Sequence, residues 1–301
     1  MNLRPHPITH ELVLYAPERA LRPHAFAGLA PVGAAETGVA GPLTLVDDPC
    51  PFCAGNESLT PPELARRGPR ANWQIRVFPN KYPAAAHHEI IVESPRHEAT
   101  FDQLADPEEA VRVYIERYEA MRRNADVRYV SLFRNHGPMA GASLQHLHSQ
   151  MIGLTFVPPR VENEHYAFLS WKSCRLCDAI AAHRSLGLII EETESMVWLA
   201  PSAPSFAYQT WLLPKRHLPE MTRLDELEVI DLAMMLKRAS RAIGTLSTSY
   251  NWLWMNFPDA EQAHLYVDLV PRLTAMAGFE LATGSYINVI DPAETVRIMK
   301  R

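Results

Sequence analysis

At 301 residues the chain has the length for one large or two medium domains with a real core. Its 29 basic and 34 acidic residues provide neither a basic field for nucleic acid nor an acidic tail, so any anionic ligand must be held by local donors. The most apolar long stretch, residues 25–46, is broken by glycines, Pro31 and Pro42, and residues 1–7 lack the apolar centre of a signal peptide. The expectation is a cytoplasmic protein with neither membrane nor nucleic acid as partner. Four cysteines in two CxxC pairs favour metal ligation over disulfides in a reducing compartment.

In chain order, a short apolar run from Leu12 to Ala16 suits a strand and precedes Arg19 and Arg22. Cys50-Pro51-Phe52-Cys53 then forms a tight turn presenting two thiols. Strand-like runs at Trp73 to Phe78 and Glu89 to Glu93 are joined by a Pro-rich turn and closed by Ser94-Pro95-Arg96-His97. A helix is expected from about Pro107 to Arg123, with Asp106 as its cap and Glu109 completing a capping box. Tyr129 to Phe133 reads as a strand. It feeds a Gly-rich loop and a further strand, NHGPMAGASLQHLHSQ, from Asn135 to Gln150.

The second half repeats this order in weaker form. Cys174 and Cys177 match the first CxxC, strands at Met196 to Leu199 and Gln209 to Leu213 flank a Pro-rich turn, and Pro214-Lys215-Arg216-His217 mirrors residues 94–97. A long amphipathic helix, Leu224 to Leu246, and a strand, Trp252 to Asn256, lead to His264-Leu265-Tyr266-Val267-Asp268. Second cysteine to first histidine spans 44 and 40 residues, and first to second histidine 49 and 47. The chain thus reads as a duplicated α+β unit, an antiparallel sheet with packed helices, divided into residues 1–157 and 158–301.

Two thiolates and two imidazoles are a common tetrahedral zinc set. Cys50, Cys53, His97 and His146 form one such set; Cys174, Cys177, His217 and His264 form the other, and both look structural because neither has an evident open position. Scattered buried thiols and surface histidines are the plainer alternative, which the recurring spacing disfavours. His146 matches His264, whereas His148 matches Tyr266 and Gln150 matches Asp268. His148 is therefore not needed as a ligand and is available as a nucleophile toward phosphorus if its other nitrogen donates to a fixed carbonyl. Asn135, Gly137, Gly141 and Ser143 offer close backbone approach and donors for phosphate oxygens. Gln150 is placed to donate to a non-bridging oxygen, and because it cannot protonate a leaving group, a good leaving group such as a phosphate monoester is implied.

With these residues assembled, the chain resembles the galactose-1-phosphate uridylyltransferase family, a branch of the histidine triad superfamily with a duplicated triad fold. The resemblance covers most of the chain. It rests on APERALRP at 16–23, CPFCAGNE at 50–57, RVFPNKYPA at 76–84, SPRH at 94–97, GASLQHLHSQ at 141–150 and AGFELATGSYIN at 277–288. It implies a nucleotidyl-histidine at His148 supported by Gln150, and zinc held by Cys50, Cys53, His97 and His146. It further implies nucleotide and phosphate contacts from Asn80, Asn135, Gly141 and Ser143, and phosphate contacts from Arg19 and Arg22 across a homodimer interface. Phe279 and Glu280 align with a hexose-contacting segment. Two departures stand out: Leu147 replaces the family's proline, and GFELATGSYIN lacks a glutamine used near the sugar and looks closer to ADP-glucose phosphorylase, whose relatives carry a second CxxC-type site. The function expected first is ping-pong transfer between a UDP-hexose and a hexose 1-phosphate, with nucleotide-sugar phosphorolysis as the alternative. A dinucleotide hydrolase and a zinc-stabilised binding protein without turnover are the rivals from other classes.

Overall fold

The computed structural model describes residues 2–8, 12–15 and 49–301. Ten strands form one antiparallel sheet. The N-terminal half contributes β3 (Ala65–Arg67), β4 (Ile75–Pro79), β5 (His87–Val92), β6 (Tyr129–His136) and β7 (His148–Leu154). The C-terminal half contributes β8 (Ile189–Glu192), β9 (Met196–Leu199), β10 (Thr210–Pro214), β11 (Tyr250–Met255) and β12 (Tyr266–Pro271). Across the sheet the order is β3-β4-β5-β7-β6-β11-β12-β10-β9-β8. Counted inward from each edge the connectivity is the same: three consecutive strands, then the fifth, then the fourth. The duplicated unit is thus written into the topology, with the two copies meeting where β6 pairs with β11. A second, three-stranded sheet joins β1 (Asn2–Pro5), β2 (Leu12–Tyr15) and β13 (Tyr286–Asn288).

Register sharpens the repeat. One row of paired residues runs Phe78, Ile90, Gln150, Phe133, Leu253, Asp268, Trp211, Leu199. Gln150 and Asp268 stand at symmetric places in it, and because paired residues share a face, so do the groups two residues away, among them His148 and His88. The opposite face is largely apolar, apart from the buried Arg134–Glu93 pair. It packs against α1 (Pro107–Arg122) and α4 (Glu226–Gly244), burying Val77, Ile91, Leu132, Met151, Trp252, Val267 and Leu269 in one core that spans both halves. Leu147 belongs to that core, so the residue replacing the family's proline does face away from the chemistry.

Helix starts divide sharply. In α4, Asp225 accepts from the Glu228 N–H while Glu228 reaches back to the Asp225 N–H, a complete capping box. The cap expected at Asp106 does not form: its side chain makes no capping bond, and Glu109 is drawn away into ion pairs with Arg67 and Arg112. Pro107 in the first turn and the acidic Glu108 and Glu109 near the positive end of the helix dipole still favour the start. Just after the division expected at residue 157 come α2 (Pro159–Leu169) and α3 (Arg175–Ser185). Two short helices, α5 (Gly278–Thr283) and α6 (Pro292–Met299), complete the described chain, and no described helix is long and apolar enough to cross a membrane.

Candidate active site and metal centres

His148 opens β7 and is buried, 4% exposed. Its Nδ1–H donates to the His146 carbonyl at 2.7 Å, which leaves the Nε2 lone pair facing away from that bond. Burial lowers its pKa, and the Glu93 carboxylate and the Arg134 guanidinium act in opposite senses on it. The imidazole is thus kept neutral, the form that can attack. Phe52, carried by the first CxxC turn, packs edge-on against the rings of both His146 and His148, at 6.1 and 5.3 Å between centroids.

His146 itself is turned the other way. Its Nε2–H donates to the Ser94 carbonyl at 2.7 Å, and Nδ1 lies 3.7 and 3.6 Å from the Cys50 and Cys53 sulfurs. His97 Nδ1 is 3.4 Å from Cys53. In the second half His264 Nε2–H donates to the Pro214 carbonyl and its Nδ1 is 3.5 Å from both Cys174 and Cys177, while His217 Nδ1 lies 3.6 Å from Cys177. All four ligand atoms of each set lie within 4.8 Å of one another. A tetrahedral ion with bonds of about 2.3 Å to sulfur and about 2.1 Å to nitrogen has sulfur–nitrogen edges of about 3.6 Å, which is the spacing observed. Carbonyl acceptors that fix the remote nitrogen of a ligating imidazole are a usual supporting arrangement. Burial and then the neighbouring Cys50 push the Cys53 thiol up to about 11, a cost that a bound cation would remove. Both clusters have the donors and the spacing that a metal ion requires.

The loop before His148 is moored on the second half. Gly137 has φ +78°, and a Cβ there would fall 2.3 Å from the Thr248 carbonyl oxygen, so only glycine fits. Asn251, on β11, donates to Asn135 Oδ1 at 2.8 Å and to the Ala140 carbonyl at 3.0 Å. Gly141 takes the left-handed conformation that ends the turn at residues 138–140. Ser143 lines a cavity of about 730 Å³ with Gly137, His136 and Tyr250.

Across from Gln150, His88 contacts Gln150 Oε1 through Nε2 at 2.9 Å, and the Asn80 amide nitrogen lies 3.2 and 3.4 Å from its two ring nitrogens. Asn80, Gln150 and His148 are therefore brought to one neighbourhood with Asn135. Phe279 and Glu280 line a cavity of about 350 Å³ with Ser205, Phe206 and Tyr286. Arg19 and Arg22 lie outside the described residues.

The matching place in the second half is filled. Arg160 of α2 donates to Asp268 at 3.0 Å and pairs with Glu164, and Tyr266 donates to Glu164 at 2.7 Å. A guanidinium thus stands beside the residues that replace His148 and Gln150. His88, Asn251 and Arg160 are absent from the sequence-derived site. The expected strands begin one residue after each of the first two, and Arg160 lies just past the division expected at residue 157.

Duplicated topology, a carbonyl-fixed histidine beside a glutamine, and a paired Cys/His centre go with a nucleotidyltransferase-like enzyme of the galactose-1-phosphate uridylyltransferase type. ADP-glucose phosphorylase of Arabidopsis thaliana is 29% identical, over 99% of this chain and 92% of that protein. The crystal structure of an ADP-glucose phosphorylase from the same plant with bound ADP-glucose superposes with a TM-score of 0.85 at 28% identity, covering 100% and 98% of the two chains. The galactose-1-phosphate uridylyltransferase of Thermotoga maritima is 25% identical over 83% of this chain and 88% of its own length. The chain belongs to the family described as domain of unknown function DUF4921, whose model matches residues 108–301, and the N-terminal domain model of DUF4931 matches residues 37–157.

Proposed function

We propose that the chain transfers a nucleotidyl group from a nucleotide-sugar through His148. The observation carrying this reading is the Nδ1–H bond to the His146 carbonyl, which selects the tautomer with an attacking lone pair on Nε2. That lone pair forms a bond to the α-phosphorus while the bond from the α-phosphorus to the bridging oxygen breaks, and its electron pair leaves with the sugar 1-phosphate. The leaving phosphate needs no protonation, in keeping with a glutamine at position 150. In the second step an oxygen of the acceptor attacks the same phosphorus, and the phosphorus–nitrogen bond returns its electrons to the imidazole. Gln150 donates to a non-bridging oxygen as charge develops, and Asn135, Gly141, Ser143 and Asn80 hold the nucleotide and phosphates.

Of the two acceptors, we favour inorganic phosphate with ADP-glucose as donor, which yields glucose 1-phosphate and ADP. Support comes from the greater identity and coverage of the Arabidopsis ADP-glucose phosphorylase. The uridylyltransferase reading, UDP-hexose with hexose 1-phosphate, is the second, supported by the Thermotoga relative. The donor sets fit zinc, held by Cys50, Cys53, His97 and His146 and by Cys174, Cys177, His217 and His264. When bound, such an ion supplies structural clamping of the CxxC turns; it leaves the chemistry to His148. In the same reading the catalytic half is residues 1–157, the half lacking the nucleophile is 158–301, Phe279 and Glu280 contact the hexose, and a cytoplasmic homodimer brings Arg19 and Arg22 to the phosphates. The test is initial rate with ADP-glucose or UDP-glucose against phosphate or galactose 1-phosphate. Turnover confined to ADP-glucose plus phosphate is expected, and turnover confined to UDP-glucose plus galactose 1-phosphate would select the second reading.

A further inference from the structure

His88 is buried, 7% exposed, and its ring meets Ala84 and Asn80 of its own turn and Gln150 across the strands. The Ala84 N–H donates to Nδ1 at 3.0 Å, so Nδ1 must be the unprotonated nitrogen and Nε2 must carry the hydrogen. Nε2–H therefore donates to Gln150 at 2.9 Å, and the Gln150 atom that meets it must be the carbonyl oxygen. That fixes the amide: its NH2 group is turned away from His88 on the face that carries His148. The turn holding this arrangement is itself tied down. The Asn80 N–H donates to the His88 carbonyl at 2.8 Å, and Asn80 Oδ1 accepts from the Tyr82 N–H at 2.9 Å.

The second half contains the same device with a different side chain. In the row of paired residues, Ile90 and Trp211 occupy matching places, so His88 and Gln209, each two residues earlier, match as well. Gln209 Oε1 accepts from the Ser205 N–H at 2.8 Å, again four residues upstream. Its Nε2 donates to Asp268 Oδ1 at 2.7 Å, the residue matching Gln150. An acceptor anchored on the backbone and a donor aimed across the strands therefore recur at one position of the repeat.

We infer that His88 is a positioning residue for nucleotidyl transfer: it holds the Gln150 amide in the orientation that points N–H donors at the phosphoryl group on His148. The inference rests on the proposed chemistry at His148. A glutamine at this place has the same two functions, as Gln209 demonstrates, so His88→Gln is the conservative change and His88→Phe the disruptive one.

The experiment measures single-turnover formation of the nucleotidyl-enzyme from ADP-glucose, together with the nucleotide-sugar Kd, in the metal-loaded protein. H88F is expected to slow formation roughly 10–100-fold, the range for loss of a supporting hydrogen bond at such a site, with Kd changed less than about threefold. H88Q should recover to within about fivefold of wild type. In a Q150A background H88F should cost nothing further, because the two residues act as one unit. Equal defects in H88F and H88Q, undiminished in Q150A, would mean a role in folding alone and would overturn the inference. So would an H88F enzyme as fast as wild type. Nitrogen-15 NMR of the His88 ring reads the tautomer without turnover: protonated Nε2 is expected, and protonated Nδ1 would refute the arrangement. A wild-type protein that forms no adduct with any nucleotide-sugar would instead refute the proposed function, leaving the NMR result to judge the geometry by itself.

Discussion

Replacing Arg134 by methionine removes the cation from a charge pair on the helix-facing side of the sheet, behind His148. Its Nη2 lies 2.7 Å from Glu93 Oε1, and the two side chains are 1% and 0% exposed. Tyr114 also donates to Glu93 Oε1 at 2.7 Å, and Arg134 lies over the Trp252 ring at 4.2 Å. Methionine retains much of the apolar stem and its packing on Trp252, so the main loss is the charge. Glu93 is then left with one hydroxyl donor in a site closed to water. Removing one partner of a buried ion pair costs ~3–5 kcal/mol, whereas replacing both by apolar groups is often close to neutral. For a chain of this size that corresponds to a Tm lower by roughly 5–8 °C. The assay is denaturant and thermal unfolding of R134M, E93Q and R134M/E93Q, with metal content checked in each. The double variant should lie well above the sum of the singles. A loss below about 1 kcal/mol in R134M, or strict additivity of the pair, would refute the view that uncompensated burial is what the arginine prevents.

Stability should also fall on mild acidification. Burial, followed by the charge of Arg134, lowers the His136 pKa from its ordinary 6.5 to about 4, and burial lowers that of His183. With the folded value below the unfolded one, stability is complete above pH 6.5 and is lost as pH falls toward 4, because the unfolded chain takes up protons that the folded chain refuses. Between pH 7 and 5, His136 accounts for roughly 1–2 kcal/mol after allowance for its partial exposure. H136F, which keeps the stack on Tyr250, should show a flatter pH dependence of unfolding free energy, and an unchanged slope would contradict the assignment. Two equivalents of zinc per chain are expected by elemental analysis, falling to one in C174S/C177S with adduct formation at His148 retained; zinc in neither variant nor wild type would remove the metal account. Tyr266→His should form no second adduct, since Arg160 and Glu164 occupy the space beside it. A nucleotidyl group found at position 266 would show that the filled site is no barrier.

The metal sets and the repeat were legible in the sequence because they depend on residue type and interval, and both survive distortion of the elements between them. Strand Met196 to Leu199 was read to the residue, its four apolar side chains bounded by turns. Less was legible where a side chain's role depends on its cross-strand neighbour. His88 sits in the turn-to-strand passage AAHHEI, and only the register of β5 on β7 brings it to Gln150. Asn251 gains its importance from pairing with Asn135 across the junction of the two halves. The Asp106 cap misled for a related reason: local sequence favoured a capping box, but Arg67, far along the chain, competes for the Glu109 carboxylate. Arg160 was missed because Val157-Pro158-Pro159 marks a turn, and the helix that follows carries its function in what it fills.

The most direct test is the intact mass of wild-type and H148A protein after incubation with ADP-glucose, and separately with UDP-glucose, in the absence of acceptor. The account predicts one nucleotidyl adduct on the wild type, adenylyl in the favoured reading, located at His148, discharged by phosphate and absent from H148A. An unmodified wild-type protein under every nucleotide-sugar, or an equal adduct on H148A, would contradict it.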